Sequence, residues 1–223
     1  MSFRKGDFDY DNVEGKFGES FCLSYLESKY PKTSIFDVSD VRLFQLMDID
    51  FVLGKTPQAA DFVRNFLNGG AYLQEDLDTI LKSDEIMTIE VKTDTRTCGL
   101  YPTGNVVFEV VSHRSPGTYA TRAHYVFYLC SKETGKGTGE FDISNVYIIT
   151  MWKLREWHHK NHASYCRTYY YDKNIDCRFP IDKLVFDGVA IPLPEYIWFG
   201  WSYNINEITD TPRKRGKRQE SST

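Results

Sequence analysis

The stretch MTIEVKTD, residues 87–94, alternates apolar and polar side chains. Successive side chains of a β-strand point to opposite faces, so Ile89 and Val91 share one face of the predicted strand. Glu90 and Lys92 share the other face, about 7 Å apart along the strand. The pattern predicts a half-buried strand that carries a carboxylate and an ammonium group side by side.

Apolar spacing predicts a helix and a strand upstream of this stretch. Apolar residues at helical spacing predict an amphipathic helix over about residues 12–29, ended by Pro31. The stretch FQLMDIDFVLG, residues 44–54, predicts a buried strand that Asp48 and Asp50 interrupt. Asp50 therefore offers a second carboxylate at the end of an apolar strand.

Two further helices are predicted between these strands. Thr56 and Pro57 form an N-cap followed by proline at the first helical position, and residues 58–67 continue at helical spacing. The Asn-Gly-Gly of residues 68–70 ends this helix, and a second, short helix is predicted over residues 73–81.

Downstream, the pattern predicts a sheet. Four β-like runs, which we expect to share one sheet, cover residues 86–93, 106–112, 123–130 and 146–150. A helix is predicted over residues 153–163 and a last strand near residues 179–186. The order of elements predicts an α/β or α+β fold in which helices flank a central mixed sheet.

The acidic residues of the two apolar strands indicate a metal site. Two carboxylates, Asp50 and Glu90, with the Val91 carbonyl make a hard oxygen site of the kind that suits Mg²⁺. A lysine beside such a site, here Lys92, can hold or help deprotonate a water, while the ion stabilises charge on a phosphoryl oxygen. These groups predict phosphodiester hydrolysis. The simpler interpretation of Glu90 and Lys92 is an ion pair on a solvated strand face.

Asp50 followed by Glu90-Val91-Lys92 resembles the PD-(D/E)xK nuclease superfamily, of bacterial or phage type. That superfamily often carries a glutamate on its first helix, for which Glu19 and Glu14 are the candidates.

Three other segments fit the resemblance. The stretch QLMDIDFVL has Asp48 where the superfamily often has glycine, which leaves Asp48 as a competitor of Asp50. The stretch TGNVVFE ends in Glu109, an accessory candidate near a second metal or a water. In PGTYATRAHYVFYL, His124 replaces the aspartate of a frequent A-D-Y motif.

The resemblance implies a restriction-endonuclease-like core in residues 1–205 with a helical insertion at about 56–82. It implies a Mg²⁺-dependent nuclease, with Mn²⁺ as a substitute ion, that acts on DNA as an endonuclease. Asp50, Glu90 and Val91 would bind the ion, Lys92 would position the attacking water, and Glu19 would orient a water or a second ion. RNA as substrate and a homodimer stay open. The alternative is an inactive nuclease-fold module that binds nucleic acid or protein.

The charge is distributed unevenly. The 223 residues hold 27 basic and 31 acidic side chains, a net charge of −4, and residues 206–223 form a predicted disordered basic tail. Without the last twelve residues, 22 basic side chains face 30 acidic ones, a net charge of −8. We expect the tail to bind DNA phosphates through Arg213, Lys214, Arg215, Lys217 and Arg218.

Composition adds three expectations. The 15 Tyr and 15 Phe predict either a densely packed interior or a surface that stacks on a flat partner. The charged N-terminus and the five cysteines without a C-x-x-C pair predict a cytoplasmic protein with reduced thiols and no membrane span. His158, His162 and Cys166 recur at helical spacing, which leaves a zinc site as a minor alternative to a polar helix face near phosphate.

Overall fold

A computed structural model describes residues 7–69, 72–95, 103–111, 121–134, 141–165, 169–171, 174–194 and 202–203. The described chain is a mixed α/β fold with a seven-stranded central sheet, flanking helices and a second, three-stranded sheet. The helices are α1 (Asp7–Glu27), α2 (Arg42–Gln45), α3 (Pro57–Asn68), α4 (Gln74–Lys82), α5 (Met151–Tyr165) and α6 (Ile181–Phe186).

The strands divide between the two sheets. Those of the central sheet are β1 (Ile35–Asp37), β2 (Phe51–Gly54), β3 (Ile86–Asp94), β5 (Tyr125–Glu133), β6 (Phe141–Thr150), β9 (Ala190–Pro192) and β10 (Ser202–Tyr203). Those of the second sheet are β4 (Asn105–Val111), β7 (Tyr169–Tyr171) and β8 (Asn174–Pro180). The central order is β1-β2-β3-β5-β6-β10, with β9 also on β6, and among the described strands of this sheet only β3 and β5 pair in parallel.

Helix α1 covers one face of the central sheet. Phe17 and Phe21 are buried against residues of that face, among them Phe51 and Ile89. Gly18 allows the close approach, because a Cβ there would lie 2.1 Å from Thr93 Oγ1. The apolar face predicted for the first helix is thus what fixes α1 on the sheet.

Helices α2 to α4 cover part of the opposite face. Val63 and Ile80 pack with Val52 and Ile86, whose side chains point away from α1. The Thr56 hydroxyl accepts the Ala59 N–H at 3.2 Å, which confirms the predicted N-cap. The helices predicted before, between and after the strands are all present, although their ends shift by a few residues.

The expectation of one sheet for four β-like runs is wrong. Strand β4 pairs with β8 in the second sheet, where Val106, Phe108 and Phe179 pack with Tyr128 of the central sheet. An apolar face that alternates along a strand is buried equally well by pairing in either sheet. The alternation therefore predicts the strand but not its neighbour.

The predicted strand near residues 179–186 is also wrong. Strand β8 ends at Pro180, and the next residues form α6, with Ile181 and Leu184 buried three positions apart. Proline lacks the N–H needed to continue a ladder, and the three-residue spacing is helical. Strand β1 was not predicted, because three residues are too short for a periodic signal.

The cysteines agree only in part with the expectation of reduced thiols. Cys22 and Cys177 are buried free thiols, whereas Cys130 is disulfide-bonded. In the described part of the chain, no helix is long and apolar enough to cross a membrane.

Candidate active site

Asp50 and Glu90 face each other across neighbouring strands. The β2–β3 ladder pairs Phe51 with Ile89, so the next position in the register sets Asp50 opposite Glu90. The Asp50 N–H donates to the Ile89 carbonyl at 2.9 Å, and the Val91 N–H donates to Asp50 Oδ2 at 2.8 Å. A hydrogen bond joins the two carboxyl groups. The predicted pair is therefore in direct contact.

Burial and mutual repulsion hold protons on this pair. Burial, and then the Asp50 carboxylate, raises the pKa of Glu90 well above its usual range. Burial raises the pKa of Asp50 to about 6, against hydrogen bonds from Val91 and Glu90 that lower it. Two carboxyl groups that hydrogen-bond each other must share a proton. The site therefore has a local excess of negative charge that a proton or a cation can offset.

The Val91 carbonyl points toward the same place. The N–H and C=O groups of one strand residue point to the same side of the strand. Because the Val91 N–H donates to Asp50, the Val91 carbonyl is directed to that side, beyond the last β2–β3 ladder pair at Phe51 and Ile89. The role of this carbonyl as a third oxygen ligand stays a prediction.

Lys92 lies on the same strand face as Glu90, two residues further along β3. Its side chain is half-buried, and the charge of its ammonium group opposes the rise in the pKa of Glu90 that burial and Asp50 cause. The predicted Glu90–Lys92 arrangement on one strand face is present.

Glu19 joins the site from α1. The close packing of Gly18 on β3 sets Glu19 near Asp50, and burial, followed by the Asp50 charge, raises the pKa of Glu19 to about 7. Cys22, one turn further along α1, is fully buried. Burial, followed by the charges of Asp50 and Glu19, raises the pKa of its thiol.

Glu14 and Asp48 have different roles from Asp50 and Glu90. Glu14 Oε1 accepts the Thr95 N–H at 3.0 Å, which ties α1 to the end of β3. Asp48 lies before the strand in a turn with φ of 49°, the left-handed region that favours glycine. Its charge still raises the pKa of Asp50 and of Glu90, though burial is the larger cause for both.

Two acidic neighbours were missed by the sequence analysis. Asp37 ends β1 and Asp40 follows it; the charge of each adds to burial and Asp50 in raising the pKa of Glu19. The Asp37 carboxylate accepts the N–H and the hydroxyl of Ser39, at 3.1 and 2.8 Å. The strand β1 could have pointed to Asp37 and Asp40, but three residues are too few for a periodic pattern in the sequence.

His124 supports the fold beside the site. Its Nδ1 accepts the Thr88 N–H at 3.1 Å, and its Nε2–H therefore donates to the Leu81 carbonyl at 2.9 Å. Burial is the main cause that lowers the pKa of His124. This histidine, which replaces the aspartate of the A-D-Y motif, links the end of α4 to β3.

The other predicted residues are not brought to this site by the described structure. Glu109 lies on β4 in the second sheet, and its side chain is outside the described residues. The ring of His158 packs on Phe179 with centroids 5.1 Å apart. The side chain of His162 and all of Cys166 lie outside the described residues. So do the basic residues of the tail.

Within the described ranges, no group of three or more His, Cys, Asp or Glu side chains is placed to hold a metal ion. The oxygen set at the β2–β3 junction is smaller, with two carboxylates and one backbone carbonyl. No protein-family model, curated protein or solved structure matches this chain.

Proposed function

We propose that this protein is a Mg²⁺-dependent nuclease that hydrolyses phosphodiester bonds in DNA, and that its central sheet is a restriction-endonuclease-like core. The observation that carries the proposal is the cross-strand contact of Asp50 and Glu90, with the Val91 backbone beside it and Lys92 on the same strand face. The resemblance of these four residues to the PD-(D/E)xK superfamily supports the same function.

The oxygen set fits a hard divalent cation. Asp50 and Glu90 share a proton, and a cation would offset the same negative charge more completely. Mg²⁺ keeps several waters and is often held by one or two carboxylates, so a third side chain is not needed. Asp50, Glu90 and Val91 would hold Mg²⁺ or Mn²⁺, which stabilises the charge that develops on the phosphoryl oxygens.

The remaining residues handle the water and its proton. Lys92 donates a hydrogen bond to the attacking water, whose oxygen bonds to phosphorus as the bond from phosphorus to the leaving oxygen breaks. Glu19, which lies near Asp50, would orient a metal-bound water or a second ion. The attacking water would lose its proton to solvent, and solvent would return a proton to the leaving oxygen.

The test is a digest of supercoiled circular and linear duplex DNA by the parent protein and by Lys92→Ala. We expect the parent to nick the circle in Mg²⁺ and to be inactive in EDTA, and Lys92→Ala to be slower by about 10²–10³-fold. The matched control is Lys82→Ala, which removes an exposed lysine paired with Asp78. Equal rates for Lys92→Ala and the parent would contradict the assigned role.

A binding module without turnover is the second candidate, because fewer than three side-chain ligands meet in the described part of the site. Titration with Mn²⁺ separates the two. If the site is active, the parent protein binds Mn²⁺ and the Glu90→Gln variant does not. If the protein is an inactive module, the parent shows neither Mn²⁺ binding nor cleavage.

A further inference from the structure

A groove of about 470 Å³ lies between the C-terminal half of α1 and the central sheet. We call it the tyrosine groove, and its polar and aromatic lining is Tyr25, Lys29, Tyr30, Tyr125 and Phe127. Its volume is within the range of pockets that hold small organic ligands.

The tyrosine groove is separate from the candidate active site. Ile89 lines the groove, and the side chain of the next residue, Glu90, points to the opposite face of β3. Glu19, which joins the candidate active site from α1, lies before Tyr25 on that helix and is not among the described residues that line the groove. A ligand here is held by α1 and the strand face that α1 covers.

The lining indicates a flat, apolar ligand. Tyr25, Tyr30 and Tyr125 are half-buried, which leaves part of each ring at the groove. The Tyr25 ring packs on Phe127 with centroids 5.4 Å apart, and the aliphatic floor includes Ile89. Aromatic side chains with this partial exposure form the platforms on which nucleobases stack.

The charge of the lining indicates an anion. Lys29 is exposed at the groove, and no aspartate or glutamate is among the described residues that line it. The chain as a whole is acidic, with a net charge of −4, so a groove whose described lining carries a lysine as its one charged residue is a local exception. A lysine beside an aromatic platform suits a phosphate attached to a stacked base.

We propose that the tyrosine groove binds an unpaired nucleotide, with the base on the tyrosine rings and the phosphate at Lys29. The ligand is a nucleobase with a phosphate, supplied either as a free nucleoside monophosphate or as one residue of a single DNA strand. This site goes beyond the proposed hydrolysis and requires no cleavage.

The test measures binding of thymidine monophosphate and of the oligonucleotide (dT)₅ to the full chain by calorimetry in EDTA. We expect Tyr30→Ala to weaken both ligands by about tenfold, the equivalent of 1.4 kcal/mol of stacking. Lys29→Ala should weaken both by several-fold and reduce their salt dependence. Binding of (dT)₅ at least tenfold tighter than the monophosphate identifies a single strand as the source, and equal binding identifies the free nucleotide.

Matched controls are Tyr72→Ala, an exposed tyrosine that packs on Phe66 with centroids 5.0 Å apart, and Lys82→Ala. Both should bind as the parent does. The proposal is overturned if the parent binds neither ligand, if the controls lose as much affinity as the groove variants, or if decanoate, an aliphatic anion, binds as tightly as the nucleotides.

A second measurement uses the unmodified protein, in case Tyr30→Ala does not fold. Photocrosslinking with 5-iododeoxyuridine in place of thymidine, followed by mass spectrometry, should give an adduct on Tyr25, Tyr30 or Tyr125. Adducts found only at other residues would overturn the proposal. Because EDTA removes metal-dependent cleavage, this result is independent of the Lys92→Ala digest.

Discussion

Two carboxylates on the same face of β3, Glu90 and Asp94, have opposite surroundings. The hydroxyl of fully buried Tyr128 donates to Asp94 Oδ2 at 2.5 Å and accepts the Val107 N–H at 3.0 Å, which joins the central sheet to β4. Glu90 instead faces another carboxyl group, Asp50, in a site that burial makes unfavourable for charge. The Asp94 pair is satisfied within the protein, whereas the Glu90 pair needs a proton or a cation from outside.

This difference separates stability from function along one strand. A hydrogen bond between unlike groups stabilises the fold, and loss of one partner leaves a buried polar group unsatisfied. Like charges held together cost stability, and such a cost is typical of sites that bind or react. The following predictions test that contrast, beginning with the largest effect.

The largest expected effect is a loss of DNA cleavage in the Glu90→Gln variant. If Asp50 and Glu90 hold the ion, the neutral amide should reduce Mg²⁺-dependent cleavage by about 10³-fold or more. The same substitution removes a carboxyl group whose raised pKa forces it to take up a proton when the chain folds at pH 7, so the free energy of unfolding at pH 7 in EDTA should rise by about 1–2 kcal/mol. Cleavage assays and urea denaturation check the two results.

The control for Glu90→Gln is Glu75→Gln, in the exposed first turn of α4. Its cleavage rate and its free energy of unfolding should both stay close to those of the parent. A Glu90→Gln protein that is less stable than the parent would contradict the comparison, because it would show that Glu90 is satisfied as Asp94 is.

The second effect is a loss of stability in Tyr128→Phe. The change leaves Asp94 and the Val107 N–H without the hydroxyl that serves both, and should lower the free energy of unfolding by about 2–3 kcal/mol. Tyr147→Phe is the control, because half-buried Tyr147 lies opposite Tyr128 on β6. Similar losses in the two variants would show that the hydroxyl network is not what joins the sheets.

The third effect is a pH dependence of stability. The pKa is raised to about 6 for Asp50 and about 7 for Glu19, from ordinary values of 3.8 and 4.5. Groups with raised pKa stabilise the folded state fully below the unfolded pKa, and this contribution is lost as the pH rises through the folded pKa. The parent should therefore lose about 1 kcal/mol or more between pH 4.5 and 7.5 relative to Asp50→Asn.

Urea denaturation of both proteins in EDTA measures that difference, and the comparison cancels the contribution of His124, whose pKa shifts the other way. If the difference in free energy of unfolding between the parent and Asp50→Asn does not change between pH 4.5 and 7.5, the pKa of Asp50 is not raised by folding.

The smallest effect is expected at Asp48, in the turn before β2. Asp48→Gly relieves the left-handed backbone at φ of 49° and should raise stability by about 0.5 kcal/mol. Asp48→Asn is the control, since asparagine removes the charge but tolerates the same backbone. Thermal unfolding distinguishes them, and a loss of stability in Asp48→Gly alone would show that the backbone is not strained.

Local signals accounted for most of the secondary structure. The Thr56 cap, the apolar period of α1 and the alternation around Glu90 each depend on neighbouring residues, and each is present in the fold. Errors arose where a local pattern has two solutions. The apolar alternation of β4 suits either sheet. The apolar residues after Pro180 were predicted as a strand but form helix α6.

The sequence by itself determined which charged groups sit on apolar strands, because alternation and spacing are properties of adjacent residues. Only the tertiary structure decided that Asp50 and Glu90, 40 positions apart, meet across the β2–β3 register. It also decided that Asp37 and Cys22 lie near them, and that Asp48 occupies a turn. Such contacts depend on which strands pair and how closely Gly18 lets α1 approach, which no local pattern encodes.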